Sequence, residues 1–298
     1  AVGISDEIEK NVKKKFSYNN IAILVRAIFQ TREFEERFLK IGMPYRILGG
    51  TKFYERAEIK DCVAYLRLIY QEKDDLAFER IINLPRRGVG KATLQKMHVV
   101  GRHEGLSLFE VAEKIVETDE IKGRARTSLK LFIADVQRWA GLIESTAPED
   151  LMKIILDESG YTTMWQQDKS PDSDGRLENL KELVDAIGEF SSVSEFLEHV
   201  SLVMENVQNS TEDYVTLMTM HAAKGLEFKT VFLAGWEEGI FPSQRTLSEA
   251  SERDLEEERR LAYVGLTRAK ENAFITFGFT PFTSYIPMAY NGRCSITL

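Results

Sequence analysis

Apolar positions recur along the chain with two different periods, and the change between them marks out its organisation. Asp6 to Lys15 reads as a polar helix, and Ile21-Ala-Ile-Leu-Val25 is a wholly apolar run that suits a strand buried on both faces. Residues 29–41 set Phe34, Phe38 and Ile41 between charges, an amphipathic helix closed by Gly42 and Pro44; Tyr45-Arg-Ile-Leu48, ended by Gly49-Gly50, is a second strand. From about residue 55 to 205 the period becomes helical throughout, at 58–70, 75–84, 91–100, 107–116, 124–143, 149–158, 176–190 and 194–204, with a loop at Ser170–Gly175. Strands return as Val215–Thr219, Val231–Ala234 and Ala273–Thr276, with an acid-rich helix at about 253–270 before the last. Two early strands cannot make a buried parallel sheet alone, whereas early and late strands together can. The pattern therefore predicts one discontinuous α/β domain, residues 1–54 and 206–298, with an all-helical domain inserted at 55–205.

Composition narrows the chemistry. The 298 residues carry 39 Lys and Arg against 47 Asp and Glu, a formal net charge of −8, which excludes a protein that coats nucleic acid through its whole surface. Any such contact must be local, and residues 80–102 supply the contrast: Arg80, Arg86, Arg87, Lys91, Lys96 and Arg102 with no acid among them. There, a helix, the hairpin Pro85-Arg-Arg-Gly-Val-Gly90 and a second helix starting at Lys91 form a helix–hairpin–helix pattern. Gly88 and Gly90 let backbone N–H groups come close to a phosphate, beside Arg86, Arg87 and Lys91, a contact that grips duplex DNA without reading its sequence. A solvated basic face would carry the same charge; the glycine spacing favours DNA.

Two cysteines, Cys62 and Cys294, supply neither a disulfide framework nor a cysteine-rich zinc site, and the four histidines lack metal-ligand spacing, so no metal centre is expected. No run approaches the ~18 apolar residues of a membrane span and the first residues lack the charged-then-apolar layout of a signal peptide, so a soluble, cytoplasmic protein with no membrane partner is expected. Gly88-Val-Gly-Lys-Ala92 superficially echoes a phosphate-binding loop, but Pro85 and Ala92 stand where that loop needs Gly and Ser or Thr.

The strongest signals lie late in the chain. Thr216-Leu-Met-Thr-Met-His-Ala-Ala-Lys-Gly-Leu-Glu-Phe228 runs from a strand end into a glycine turn, where open α/β sheets place ligands. In Glu256-Glu-Glu-Arg-Arg-Leu-Ala-Tyr-Val-Gly-Leu-Thr-Arg-Ala-Lys270, helical spacing puts Leu261, Val264, Gly265 and Arg268 on one stripe, apolar until its final guanidinium. These segments resemble motifs V and VI of the UvrD/PcrA/Rep-type superfamily 1 DNA helicases, through Thr219, His221, Lys224, Gly225, Leu226 and Glu227 and through the Glu-Glu-Arg-Arg-Leu…Thr-Arg-Ala run. Gly235-Trp-Glu-Glu-Gly-Ile-Phe-Pro-Ser-Gln-Arg245, Ile21–Arg26, Gly49–Asp61 and Arg176-Leu-Glu-Asn-Leu180 resemble further segments of that family; Ala27-Ile28 departs from its usual hydroxyl residue and Asn.

The resemblance implies a RecA-like (P-loop NTPase-type) parallel-sheet motor domain, the second of two, interrupted by the helical accessory domain. It implies that Thr219 and His221 face single-stranded DNA, that Arg26 meets a DNA phosphate, and that Gly225 and Glu227 approach the nucleotide. Lys224 is left to support the turn, and Arg260 and Tyr263 to structure. Arg268 resembles an arginine finger, a contribution of ~10³–10⁵ in rate. ATP and Mg²⁺ belong to the full-length enzyme, an ATP-dependent 3′–5′ helicase of repair or replication acting on single-stranded DNA and single/double-strand junctions. Walker A and B sequences do not occur here, so a missing N-terminal motor domain is expected as partner, repair proteins as further ones, and the chain alone is expected to be inactive and free of cofactor. A non-catalytic DNA-binding or repair-protein docking module is the alternative. A helicase–nuclease subunit is a third reading, without a nuclease-like carboxylate–lysine cluster in sight.

Overall fold

The computed structural model describes residues 1–13, 16–118, 121, 123–170, 172–205, 213–242, 252–277 and 293–297. Lys14 and Lys15 of the first expected helix, Pro171, Ser243–Arg245, residues 206–212 and most of the tail lie outside the described residues. The chain divides into two compact units, Ala1–Phe53 with Asn206–Leu298, and Tyr54–Glu205.

The first unit is built on a six-stranded sheet of β1 (Ile21–Val25), β2 (Tyr45–Leu48), β3 (Val215–Thr219), β4 (Phe228–Leu233), β5 (Ala269–Thr276) and β6 (Arg293–Thr297), in the order β2-β3-β1-β4-β5-β6. Strands β1 to β5 pair in parallel, and β6 adds an antiparallel edge. Strand β1 is buried along its whole length because both of its faces are covered. Ile21, Ile23 and Val25 pack with Ile4 and Ile8 of α1 (Val2–Lys13) and Phe34 and Phe38 of α2 (Arg32–Ile41). Ala22 and Leu24 face the other way, among Met218, Val231 and Leu233 and Leu261 of a helix at Glu252–Leu266. Full burial of each such large aliphatic or aromatic side chain contributes roughly 1.5–3 kcal/mol, enough to fix the strand's register.

Three boundaries differ from the periodicity. β4 starts at Phe228 rather than Val231, since Thr230 is buried while Lys229 points out. β5 starts at Ala269, within the segment read as helix to 270. The helix before it ends at Leu266, closed by Arg268 N–H donating to Gly265 O at 3.2 Å. Arg268 therefore stands in a turn and not on the helical stripe. Gly265 does sit on that stripe, and a Cβ there would lie 2.8 Å from Leu233 Cδ2 and 3.2 Å from Met220 Sδ, so the helix rides directly on the sheet.

The second unit carries α3 (Ala57–Tyr70), α4 (Asp75–Ile81), α5 (Lys91–Glu104), α6 (Leu108–Ile115), α7 (Gly123–Ala140), α8 (Pro148–Glu158), α9 (Tyr161–Gln167), α10 (Ser173–Ile187) and α11 (Val193–Glu205), with no strand among its described residues. In chain order the helix Glu252–Leu266 of the first unit is then α12. Helix α9 escaped the periodicity because Tyr161-Thr-Thr-Met-Trp-Gln-Gln167 is short and poor in helix formers. The core of this unit is aromatic: Tyr65 meets Trp139 and Tyr161 edge-on with centroids 6.1 and 6.3 Å apart, and Phe78 packs on Phe109 and Phe132 at 6.2 Å.

Candidate functional site

Open parallel sheets bind ligands outside the carboxyl ends of their strands. In the first unit those ends are tied together by backbone: Met220 N–H, just past β3, donates to Val25 O at 2.9 Å, and Ala234 N–H, just past β4, donates to Leu24 O at 3.0 Å. Gln30 completes the edge. Its Oε1 accepts from the N–H groups of both Arg26 and Ala27 at 2.9 Å, and its Nε2 fills the space over Gly235 that a Cβ would need.

The turn after β3 is held by Thr219, whose Oγ1 accepts from Ala222 N–H at 3.3 Å and whose carbonyl accepts from Ala223 N–H at 3.2 Å. It then swings through Gly225 at φ +86°, a left-handed conformation that costs other residues ~1–2 kcal/mol. His221, Lys224, Gly225 and Glu227 are all exposed, and Glu227 pairs with Lys270 Nζ at 3.2 Å. The His221 imidazole is held below its ordinary pKa, first by partial desolvation and next by the positive charge of Arg26, with Glu258 and Glu257 opposing.

Arg26 itself is not a free cation. Its Nε donates to Glu258 Oε1 and Oε2 at 3.1 and 3.0 Å and its Nη2 to Oε1 at 2.7 Å, and only 7% of the Glu258 side chain is exposed. The expectation that Arg26 meets a DNA phosphate is corrected to this extent: a phosphate would have to displace that carboxylate. Glu258 was legible in principle, because it lies three residues before Leu261 and seven before Gly265, on the buried stripe of α12, where a carboxylate requires a cation. Gln30 carried no comparable signal.

Arg268 is bonded to the turn that the sequence placed beside it. Phe228 N–H donates to Arg268 O at 2.9 Å, while the guanidinium donates from Nη1 to Leu226 O, from Nε to Val264 O and from Nη2 to Thr267 Oγ1, each at 3.0 Å. The edge thus brings Arg26, Thr219, His221, Gly225, Glu227 and Arg268 into one unit, with the arginines resting on protein acceptors. No cluster of three or more His, Cys, Asp or Glu side chains able to hold a metal occurs among the described residues.

The hairpin belongs to the second unit. Between α4 and α5, Asn83 Oδ1 accepts from the N–H groups of Arg87 and Gly88 at 2.8 and 3.2 Å, and Gly88 turns at φ +80° with its Cα facing α7 so closely that a Cβ would lie 3.3 Å from Ala125 Cβ. Arg87 points inward. Its Nη1 donates to Ile81, Ile82, Leu84 and Pro85 carbonyls at 2.9–3.4 Å, its Nη2 to Tyr65 Oη at 3.0 Å, and its guanidinium lies 4.4 Å over the Phe132 ring. The expectation that Arg87 contacts DNA is corrected to this extent: it is an internal brace of the hairpin, its donors taken up by carbonyls at the end of α4 and just beyond it, two of which accept from another donor as well. Arg80 is likewise engaged, with Asp61 at 2.7 Å. Arg86, Gly88, Gly90, Lys91, Lys96 and Arg102 are exposed.

The family model of the UvrD-like helicase C-terminal domain matches residues 1–278. The chain is 49% identical over 276 residues to the probable DNA helicase II homolog of Rickettsia felis, an alignment covering 92% of this chain and 42% of that protein. It is 43% identical to DNA helicase II of Escherichia coli, over 87% of this chain and 37% of that protein. Against the ATP-dependent DNA helicase PcrA of Bacillus subtilis the identity is 40%, over 91% of this chain and 38% of that protein. The chain spans about two fifths of the length of these relatives. No helix among the described residues is long and apolar enough to cross a membrane.

Proposed function

From the premise that the chain belongs to the UvrD-like helicase C-terminal domain family, we propose that it supplies the second, RecA-like motor domain of an ATP-dependent 3′–5′ DNA helicase, with residues 55–205 as an inserted helical accessory domain. The observation that carries this reading is the reciprocal bonding of Arg268 with the Leu226–Phe228 turn at the carboxyl edge of the sheet. One short turn then serves two ligands: its start, Thr219 and His221, meets single-stranded DNA, while its end, Gly225 and Glu227, lies beside the arginine that meets the nucleotide.

The residues fit such a role. ATP and its Mg²⁺ bring a γ-phosphoryl group whose charge develops on transfer, and a guanidinium offers bidentate donors to phosphate oxygens that Lys cannot match. Arg268 reaches it by exchanging three protein acceptors, one on its own turn, one on the adjoining turn and one in the last turn of α12. The phosphate cradle and metal ligands come from a partner motor domain. In the accessory domain, Arg86 and Lys91, with the backbone at Gly88 and Gly90, grip duplex DNA at a single/double-strand junction.

The test uses the chain as purified. It is expected to bind a single-stranded oligonucleotide in fluorescence anisotropy, to lose that affinity in the Thr219→Ala/His221→Ala variant, and to hydrolyse no ATP with or without DNA. Binding unaffected by the double substitution, or DNA-stimulated hydrolysis by this chain alone, overturns the reading.

A further inference from the structure

The hairpin does not stand alone on its surface, and what it leans on is also cationic. Gly88 lies against the first turn of α7 so closely that a Cβ would come within 3.6 Å of Ala125 Cα as well as 3.3 Å of its Cβ. Arg87 extends the same seam about two turns along α7, to the Phe132 ring. The exposed residue immediately before Ala125 is Arg124, and it has no hydrogen-bond or ion-pair partner among the described residues. Its neighbour Arg126, by contrast, donates to Val116 O at 2.6 Å, and Lys130, on the same helix, pairs with Glu117 at 2.7 Å. Arg86 and Lys91, on the other side of the Gly88 seam, are exposed and equally unpartnered among the described residues.

We propose that Arg124 of α7 is part of the DNA grip, forming with Arg86 and Lys91 a single surface that holds the sugar-phosphate backbone of duplex DNA from both sides of the Gly88 turn. This rests on the reading of the hairpin as a duplex contact and extends it to a helix that is 33 residues further along the chain than Lys91 and that no hairpin pattern includes. Charge complementarity carries the choice of partner. Three exposed cations with no carboxylate partner among the described residues flank the Gly88 seam in a chain whose net charge is −8, and an exposed guanidinium suits the phosphate backbone, which carries one charge per ~1.7 Å of duplex. The seam at Gly88 and Phe132 fixes the spacing of the three, since α7 and the hairpin cannot move apart without uncovering Arg87's ring contact.

The experiment measures duplex affinity of the chain by anisotropy between 50 and 200 mM salt for wild type, Arg124→Ala, Arg124→Lys and Arg86→Ala/Lys91→Ala, with circular dichroism to confirm folding. Each phosphate contact contributes about −0.9 to the slope of log affinity against log salt. Arg124→Ala should flatten that slope by about 1, so that across this fourfold salt range it loses about 3.5-fold less affinity than wild type, and Arg124→Lys should restore the slope. A slope unchanged in Arg124→Ala while Arg86→Ala/Lys91→Ala flattens it would overturn the role of α7 and leave the hairpin grip standing. Slopes unchanged in both, or no duplex binding, would overturn the hairpin reading and this inference with it.

Discussion

Arg87 separates a brace from a ligand contact, and its removal gives a number. The Nη1 group faces four carbonyls with two hydrogens, so it amounts to about two hydrogen bonds, and Nη2 adds one to Tyr65 Oη at 3.0 Å. At ~1 kcal/mol net for each of these bonds, and about 0.5–1 kcal/mol for a partly exposed cation over an aromatic ring, Arg87→Ala should destabilise the Tyr54–Glu205 unit by about 3–4 kcal/mol. Water reaches part of this half-buried side chain and can replace some of the lost donors, which places the expectation near 3 kcal/mol. Arg87→Lys should recover less than half of it, because an ammonium cannot span the carbonyl cluster and the Tyr65 hydroxyl in one planar fork. Urea unfolding followed by tryptophan fluorescence reads this directly, Trp139 and Trp165 both lying in that unit. Arg86→Ala, exposed and unpartnered among the described residues, should leave the same transition within ~0.5 kcal/mol of wild type. Equal stability of Arg87→Ala and wild type would refute the brace and return Arg87 to the solvent-facing surface.

Three further outcomes are expected at the sheet edge. Arg26→Ala removes a positive charge beside His221 and should raise the imidazole pKa, while Glu258→Gln removes an opposing negative charge and should lower it; an NMR titration of the His221 ring that shows no change, or the opposite order, rejects the electrostatic arrangement. Because the folded pKa of His221 lies below the ordinary value, the unfolded chain binds more protons in the window between them; its contribution to stability should therefore fall as pH drops from about 6.5 through the folded value, and His221→Gln should remove that part of the pH slope in urea midpoints measured from pH 7 to 5. Gly225→Ala places a Cβ in open space but at φ +86°, so it should cost ~1–2 kcal/mol through backbone strain alone and reduce single-strand affinity by disturbing the turn; a calorimetric midpoint equal to wild type would mean that the turn can relax.

Local pattern carried far where one principle acted alone. β1, β2 and β3 begin and end where the sequence placed them: β1, covered on both faces, has no polar position to blur its limits, while β2, an edge strand with Arg46 exposed, is bounded by Pro44 and by Gly49-Gly50. The first half of β5 was missed, part of it inside a helical reading, because Thr267-Arg-Ala-Lys-Glu-Asn272 has no apolar alternation; the burial of Ala269 comes from the sheet beneath it, and not from its neighbours in sequence. Position of the site residues followed from the motifs, but direction did not. A basic residue reads the same in sequence whether its donors face solvent, as at Arg86, or four carbonyls of its own hairpin, as at Arg87. The exception is Glu258, where helical spacing puts a charge on a buried stripe and so demands a partner, although spacing could not say that the partner is Arg26, 232 residues away.

The contrast between the two sets of arginines bears on how such a protein could work. At the sheet edge Arg26 and Arg268 are half-buried, where an unpaired guanidinium would carry a desolvation cost of several kcal/mol, and both are satisfied by protein acceptors. A ligand arriving there must replace bonds already made, so the net gain is small and the arrangement can switch in either direction. On the proposed reading Arg268 would make this switch mechanical, because one of its acceptors, Leu226 O, sits in the turn that holds Thr219 and His221; withdrawing the guanidinium toward a nucleotide would free that turn, and ordering the turn on DNA would change what the guanidinium leaves behind. At the hairpin the reverse holds. Arg86 and Lys91 stand in solvent with no side-chain partner among the described residues, so on the proposed reading their contact with duplex DNA would be graded by salt and indifferent to sequence, as suits a surface that holds duplex while the edge of the sheet exchanges its partners.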